Sequence, residues 1–469
     1  MLKRIFVNTI LLISFNCQLS ASQEFSTTLN DQTHLAVTIY NNNLALVKDQ
    51  RKIHLPPGQN TLAFREISAQ IQPETALFRS LSRTDAINVI EQNFDFDLLS
   101  PQKLLDKYVG KEIGVVKTHP TSGEERTEFG TLLSNHQGPV IKIGDRIETG
   151  IRQRFVFPSV PKNLRVKPTL IMQINNILTE EQIVELSYLT QGLTWKADYV
   201  MSIHNDEQAM DLNGWVTLTN TSGTYYPNAQ LQLAAGSINR VQPRPTHLPM
   251  IERTMAASST PMTQESLFEY HLYTLAHNTN IADNQTKQVA LLNAANIPIQ
   301  KEYQIGGSRS LYHGRDNELG SKLPVNTYIL FTNDEASRLG MPLPEGIIRA
   351  YKEDQHGNAQ FIGEDNIEHT PKNEKIKLKL GTAFDITARK KQTAYKKITK
   401  QLVESEYLFE LNNAKDQNVT VKIIEHIPGD WRILSESHPH KKTSSNTASW
   451  SIDIPSNSKA TLRYRVQTQ

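Results

Sequence analysis

An all-β fold is predicted for this chain, built from several β-sandwich blocks together with a probable small barrel and one short helix. Short runs in which apolar residues alternate with polar or small ones recur through most of the 469-residue sequence. Asn, Pro and Gly separate these runs, and period-two alternation bounded by such residues is typical of strands and turns. Hydrophobic residues make up 38% of the chain, which is enough to form a core of ordinary size.

The first 22 residues have the layout of a secretory signal peptide. A basic pair precedes a short apolar stretch, and small residues follow it. We therefore expect cleavage after Ala21 or Ser22 and export to the periplasm or the extracellular space. Cys17 is the only cysteine and lies in this segment, so the mature chain is expected to have no disulfide, no thiol chemistry and no cysteine metal ligand.

The charge balance gives no general attraction to nucleic acid or to membranes. The chain has 50 Lys plus Arg and 48 Asp plus Glu, and loss of Lys3 and Arg4 with the signal peptide leaves 48 against 48. We expect no nucleic-acid partner. The remaining sequence has no apolar stretch of the roughly 18 residues that a membrane span needs.

Two blocks are predicted before residue 162. Residues 23–96 contain alternating runs such as "LAVTIY" and "NTLAFREI", broken by "NNN" and "PPGQ", and they predict an N-terminal β-sandwich. In residues 97–161, Ser100 can cap a short helix, Pro101 suits its first position, and Gly110 can end it. Short strands with glycine bends follow this helix, and they favour a small closed or half-closed barrel.

A third block is predicted over residues 165–240, where turns about every dozen residues suit an immunoglobulin-like sandwich without its cysteines. Within the stretch 211–240, Trp215 and Thr217 fall on one strand face, with Val216 and Leu218 on the other. We expect this stretch to form a hairpin-like pair of strands, and its aromatic side chains to pack against their neighbours.

Residues 241–264 lack periodicity and are rich in Pro, Ser, Thr and Met. This composition predicts a flexible linker or inserted loop that protease cuts first. Strand-like runs resume over residues 265–469, which we interpret as a C-terminal β-sandwich region.

Several motifs occur in an order that resembles a known family. They include "GLTWKADYVMSI", "DLNGWVTLTNTSG", "MPLPEGIIRAYKED", "LNNAKDQNVTVKIIEHIPGDW" and the final "TLRYRV". From about residue 170 to the C-terminus, the chain resembles the bacterial exported family catalogued as domain of unknown function 4139. Its front sandwich is similar to the N-terminal part of mucoidy-inhibitor proteins. That branch places a long coiled coil after the first sandwich, whereas a short helix and a predicted barrel stand here. The resemblance implies export and an all-β fold, and it supplies no catalytic residue.

The sequence shows no concentrated catalytic chemistry. The 14 histidines are scattered, and neither His-Glu-x-x-His nor Gly-x-Ser-x-Gly occurs, so no metal or cofactor is expected. Some acidic residues are spaced closely enough to act as paired carboxylates in a glycosidase, although such residues are far more often solvated turns. They are Asp95 with Asp97 in "NFDFD", and Glu364, Asp365 and Glu368 in "GEDNIEH".

A basic run at residues 389–400 is the one candidate binding site. We interpret it as a site for an anionic envelope polymer, with an aromatic ring among the charges. The alternative, which the pattern favours because charge runs are usually solvated faces, is a hairpin in which glutamates of "VESEYLFEL" face these cations and cancel them. The proposed residues are Arg389, Lys390, Lys391, Tyr395, Lys396, Lys397 and Lys400.

These observations favour a non-catalytic exported protein of the cell envelope that acts by binding or assembly. Its partner would be an anionic envelope polysaccharide or another envelope protein. The alternative is an envelope hydrolase acting on glycan or peptide, with its catalytic residues gathered from several loops.

Overall fold

The computed structural model describes residues 24–95, 98–150, 154–161, 164–236, 262–267, 270–306, 312, 321–399 and 401–469. Strands make up 64% of the chain and helices 4%, so the all-β prediction is confirmed. No helix in this part of the chain is long and apolar enough to cross a membrane. The predicted signal peptide, Cys17 and residues 241–261 of the predicted linker lie outside the described residues.

The chain divides into two compact units, and it passes between them more than once. Unit 1 contains the described residues up to Leu35, then Val47–Thr190 and Ser222–Thr224. Unit 2 contains Ala36–Leu46, Gln191–Thr221 and Tyr225–Gln469.

The elements up to Thr190 are strands, one α-helix and two short 3₁₀ helices, Leu29–Asp31 and Pro73–Thr75. In chain order the strands and the α-helix are β1 Glu24–Thr27, β2 Gln32–Tyr40, β3 Leu44–Ile53, β4 Gly58–Arg65, β5 Leu77–Ser80, β6 Ile87–Asp95, α1 Pro101–Tyr108, β7 Glu112–Thr118, β8 Glu125–Ser134, β9 Val140–Ile143, β10 Arg146–Glu148, β11 Arg154–Val156, β12 Thr169–Asn176 and β13 Gln182–Thr190.

The first sheet of unit 1 has the strand order β1-β4-β12-β6, and a second group of strands includes the pair β13-β5. Phe64 of β4 meets Phe78 of β5 edge to face at 6.2 Å. Strand β12 lies between β4 and β6. The sheet that begins in the predicted 23–96 block is therefore completed by a strand from the predicted 165–240 block.

The closed form of the barrel predicted at residues 97–161 is wrong: within the described residues this region is a sheet with two edges, in the order β10-β9-β8-β7-β11. A closed barrel needs every strand paired on both sides, but β10 and β11 have three residues each and form edges. Helix α1 packs on this sheet instead, through the buried side chains of Leu105 and Tyr108. Its predicted cap is present, since the Ser100 hydroxyl accepts a hydrogen bond from the Lys103 N–H.

The elements after Thr190 are strands. They are β14 Leu193–Ile203, β15 Ala209–Asn220, β16 Tyr226–Ala235, β17 Met262–Leu267, β18 Tyr270–Leu275, β19 Thr279–Ile281, β20 Gln285–Pro298, β21 Gln300–Gly306, β22 Ser321–Leu323, β23 Asn326–Thr332, β24 Gly346–Glu353, β25 Ala359–Ile367, β26 Lys375–Thr382, β27 Ile386–Lys397, β28 Val403–Asn413, β29 Val419–His426, β30 Trp431–Glu436, β31 Lys441–Ser444, β32 Thr447–Ile454 and β33 Ser458–Thr468.

The middle sheet of unit 2 has the order β20-β15-β14-β24-β25. Its strand β15 buries Val216 and Leu218, while Trp215 is 41% exposed, so the predicted strand faces are confirmed. The predicted hairpin of β15 with β16 is wrong, because β15 pairs with β14 and β20 while β16 pairs with β2, β18 and β19. Alternation fixes which face of a strand is buried, but it does not fix the partner strand.

The C-terminal sandwich of unit 2 consists of two sheets with a shared core. The sheet β22-β27-β28-β33-β30, here called the C-terminal sheet, packs against the six-stranded opposing sheet β26-β23-β21-β29-β32-β31. Trp450 of the opposing sheet stacks on Tyr464 of the C-terminal sheet, with ring centroids 4.7 Å apart.

Candidate polyanion-binding face

The basic run lies in a hairpin formed by β27 and β28. Arg389 pairs with Glu410 and Lys396 with Glu404 across the two strands, and a bulge follows Gln392. Two of the three glutamates of "VESEYLFEL" therefore lie opposite cations, as the alternative interpretation required, while Glu406 lies opposite Ala394.

The predicted residues are divided between the two faces of this hairpin. Arg389, Lys391 and Lys396 pair with positions of β28 that point away from the core, and all three are exposed. Tyr395 pairs with Ser405, and Lys397 pairs with Val403. These two positions of β28 lie on the opposite face from the outward ones. The aromatic ring of Tyr395 therefore does not lie among the outward cations.

Lys390 requires a correction, because it is buried in the core of the sandwich. Only 3% of its side chain is exposed, and its Nζ lies 2.6 Å from Oε2 of Glu425. It has the same inward phase as Ile386 and Ala388, and it is not available to an external polymer. Lys400 lies outside the described residues.

The sheet adds cations that the sequence prediction missed. Lys322 of β22 pairs with Arg389, and Arg463 of β33 lies beyond Leu408, which is the partner of Lys391. On the outward side of β22, β27, β28 and β33, seven positions carry Lys or Arg and three carry Glu. We call the seven the basic face: Lys322, Arg389, Lys391, Lys396, Lys459, Arg463 and Arg465.

Only part of this charge is compensated. Arg465 donates to Oε2 of Glu406 at 2.9 Å and 3.2 Å, and Glu404 accepts from Gln467 at 3.3 Å. Burial raises the pKa of the Glu406 carboxyl, but the hydrogen bonds from Thr393 and Arg465 outweigh it and lower that pKa overall. Within the described part of the chain, no ion pair within 4 Å joins Lys322, Arg389, Lys391 or Arg463 to a carboxylate.

The geometry of the face suits several anionic groups rather than one. Neighbouring strands are about 4.8 Å apart, so Lys391 and Arg463, which lie two strands apart across Leu408, have backbones about 10 Å from each other. The cations are therefore separated from one another along and across the strands.

A cavity elsewhere in unit 2 has a different character. It has a volume of about 230 Å³, and Ile329, Leu380, Glu207, Lys301 and Lys352 are among its lining residues. The carboxylate of Glu207 accepts from Lys301 and from Lys352, each at 2.6 Å. Burial raises the pKa of Glu207, but these two ammonium groups lower it overall, so this carboxylate is not held protonated as a general acid would be.

Two of the carboxylates considered for a glycosidase have other contacts. Glu364 lies 3.3 Å from Arg349, and Asp365 accepts from the Lys379 N–H at 2.7 Å. The side chain of Asp95 and the whole of Asp97 lie outside the described residues.

Two histidines near the C-terminus bond side chains close to them in sequence. His438 Nδ1 is 3.0 Å from the Ser437 hydroxyl in an exposed turn, and His440 bonds Glu436 at 3.0 Å. No group of three or more metal-ligating side chains is found among the described residues.

The fold and this face define a β-sandwich protein with a sheet surface rich in exposed cations. Residues 184–469, more than half of the chain, match the family described as a domain of unknown function (DUF4139). The chain belongs to this family, which confirms the resemblance of its motifs. No curated protein matches the chain.

Proposed function

We propose that this protein is a non-catalytic, exported protein of the cell envelope that binds an anionic polysaccharide through the basic face. The observation that carries the proposal is the set of exposed cations Lys322, Arg389, Lys391 and Arg463. They lie on β22, β27 and β33, on one face of the sheet. The signal-peptide layout of the first 22 residues supports export, and export would bring the chain to such polymers.

The size of the electrostatic effect favours a polymer over a single small anion. An exposed ion pair contributes under about 1 kcal/mol, so a single carboxylate would not remain bound. Several such contacts on one chain add through effective concentration and give useful avidity. The chain's formal net charge is only +2, so retention on a polyanion would depend on this local face and not on general attraction.

The test is chromatography of the exported protein on immobilised polygalacturonate, with neutral dextran as the blank matrix. The face variant replaces Lys322, Arg389, Lys391 and Arg463 with Gln. We expect wild type to be retained at low salt and to elute early near 0.15 M salt, where the screening length is about 8 Å. The face variant should elute early at both salt concentrations.

A control variant with the same loss of charge separates a local site from net charge. It replaces Lys48, Lys142, Lys375 and Lys441 with Gln, all of which are exposed and lie off the basic face. The control should elute with wild type. If the face variant also elutes with wild type, or if the control is weakened as much as the face variant, the proposal fails.

A further inference from the structure

Lys390 and Glu425 form a buried ion pair between the two sheets of the C-terminal sandwich. The lysine is on β27 and the glutamate on β29, and their side chains are 3% and 0% exposed. The Lys390 ammonium lies 4.5 Å from the centre of the Tyr407 ring and 5.3 Å from that of Phe409. Removing two charges from water is costly even when they pair, so this arrangement needs a physical reason.

The two oxygens of the Glu425 carboxylate have very different surroundings. Oε2 accepts hydrogen bonds from Lys390 at 2.6 Å, from the Tyr464 hydroxyl at 3.2 Å and from the Tyr312 hydroxyl. Oε1 is also buried, but it has no hydrogen-bond partner within the described structure. Nearly all buried polar atoms have a partner, and a carboxylate oxygen without one is unfavourable.

We propose that Lys390 and Glu425 condense into an intramolecular isopeptide bond. The Lys390 ammonium first gives one proton to the Glu425 carboxylate, which frees the lone pair on Nζ. Nζ then attacks Cδ of Glu425, the Nζ–Cδ bond forms, and the Cδ–Oε1 bond breaks. Two of the three ammonium protons leave with Oε1 as one molecule of water, and the third remains on the amide nitrogen. The positive and negative charges cancel, and the step needs no oxidant, reductant or other reactant.

The surrounding groups suit this reaction. Nζ is already in contact with the carboxylate, which is the proximity that such an attack requires. The hydroxyls of Tyr312 and Tyr464 point at Oε2, where negative charge develops in the tetrahedral intermediate. Burial raises the pKa of both phenols well above their ordinary value, so both hydroxyls remain protonated donors. Oε2 becomes the amide oxygen and keeps these donors, while the unpartnered Oε1 is lost.

The product would join the two sheets covalently. Lys390 lies in the C-terminal sheet and Glu425 in the opposing sheet, so the bond would cross the core of the sandwich. The chain has a single cysteine and forms no internal disulfide. A link between residues distant in sequence stabilises a fold by restricting the unfolded chain, as disulfides do in other proteins.

Mass spectrometry of the full-length chain expressed in cells and purified after export tests the proposal. The intact mass should be lower, by the mass of one water, than the mass calculated for the sequence from the observed N-terminus. Tandem spectra of a tryptic digest should show one branched peptide that joins Lys390 to Glu425. Cyclisation of an N-terminal glutamine releases ammonia rather than water, and the spectra place it at the terminus.

Two comparisons make the result specific. Lys301 and Glu207 are also 2.6 Å apart, but both are partly exposed, and their peptides should be unlinked in the same digest. The Lys390→Met variant should show the full calculated mass, and Tyr464→Phe should leave a larger unlinked fraction than wild type. Wild-type protein with the full mass and separate Lys390 and Glu425 peptides would overturn the proposal, whether or not the variants fold.

Discussion

Asp49 and Arg51 show at the scale of single residues how this chain buries charge. Both are on β3, their side chains are 5% and 0% exposed, and Arg51 Nη2 lies 2.7 Å from Asp49 Oδ2. The guanidinium also lies 3.9 Å from the centre of the Phe64 ring. Such a pair gives little net stability over an apolar replacement, but removing one partner leaves an uncompensated charge in the core.

We therefore expect Asp49→Asn to lower the free energy of unfolding by about 3–5 kcal/mol. The double replacement Asp49→Leu with Arg51→Met should lose less than the single one, because it leaves no charge behind. Urea unfolding at pH 7 measures both effects. The control is Asp85→Asn, since Asp85 pairs with Arg83 at the same 2.7 Å on the surface and should cost under about 1 kcal/mol. Equal losses at Asp49 and Asp85 would contradict this account.

Sequence alternation correctly predicts which side chains point into the core when those side chains are apolar. The inward positions Val216 and Leu218 followed from it directly. Lys390 shares its phase with Ile386 and Ala388, so its inward direction was present in the pattern. The interpretation of the run as a charged surface missed it, because the partner Glu425 is on another sheet and a single sequence does not reveal that pairing. The sequence prediction also missed Lys322 and Arg463 of the basic face, because their strands are distant in sequence from the basic run.

At the scale of elements, the turn between β14 and β15 connects strands through one carboxylate. Glu207 in this turn has a φ of 59°, a left-handed conformation that is uncommon for a residue with a side chain. Its carboxylate accepts from Lys301 of β21 and Lys352 of β24. The turn therefore ties together strands that are distant in sequence.

This contact should make stability depend on pH. Burial raises the pKa of Glu207, but the two ammonium groups lower it overall. A carboxyl whose pKa is lowered on folding contributes stability above its unfolded pKa, about 4.3, and loses it as pH falls through the folded value. We expect Glu207→Gln to be less stable than wild type by about 1 kcal/mol or less at pH 7, since solvent screens this partly exposed group.

Urea unfolding between pH 3 and pH 7 measures this difference. The free energies of unfolding of wild type and of Glu207→Gln should converge at the acid end of this range. Glu335→Gln is the control, because Glu335 pairs with Lys372 at a more exposed position and should give a smaller difference. A stability difference for Glu207→Gln that stays constant over the whole range would show that the charge of this carboxyl is not the cause.

The elements themselves were predictable where local signals suffice. The Ser100 cap with Pro101 indicated the helix, and alternation indicated most strands. Sheet closure and partner choice depend on strand lengths and on distant contacts, so a closed barrel and the pairing of β15 with β16 were predicted wrongly. The hairpin of β27 with β28 was foreseen because its strands are adjacent in sequence and carry opposite charges.

At the scale of the whole molecule, strands that precede and follow the predicted linker pair in one sheet. This pairing can hold the chain together after the linker is cleaved. Strand β16 ends at Ala235, which pairs with His271 of β18, and β17 pairs with β18 along Met262–Leu267. The last three residues of the predicted 241–264 linker are therefore in β17. Leu231, Leu233, Leu272 and Tyr273 are buried, so apolar contacts as well as main-chain hydrogen bonds join these strands.

We predict that mild proteolysis cuts first within residues 241–261, whose composition is that of a linker, and that the two fragments stay together. They should separate on a denaturing gel, yet elute as one species of native size in gel filtration, because β16 and β18 hold the two sides in one sheet without the connecting segment. A variant with residues 241–261 replaced by a short Gly-Ser segment should resist the same digestion. Fragments that elute apart would show that the β16–β18 pairing cannot hold the nicked chain. A first cut within residues 212–233 would contradict both the linker and the burial of β15 and β16.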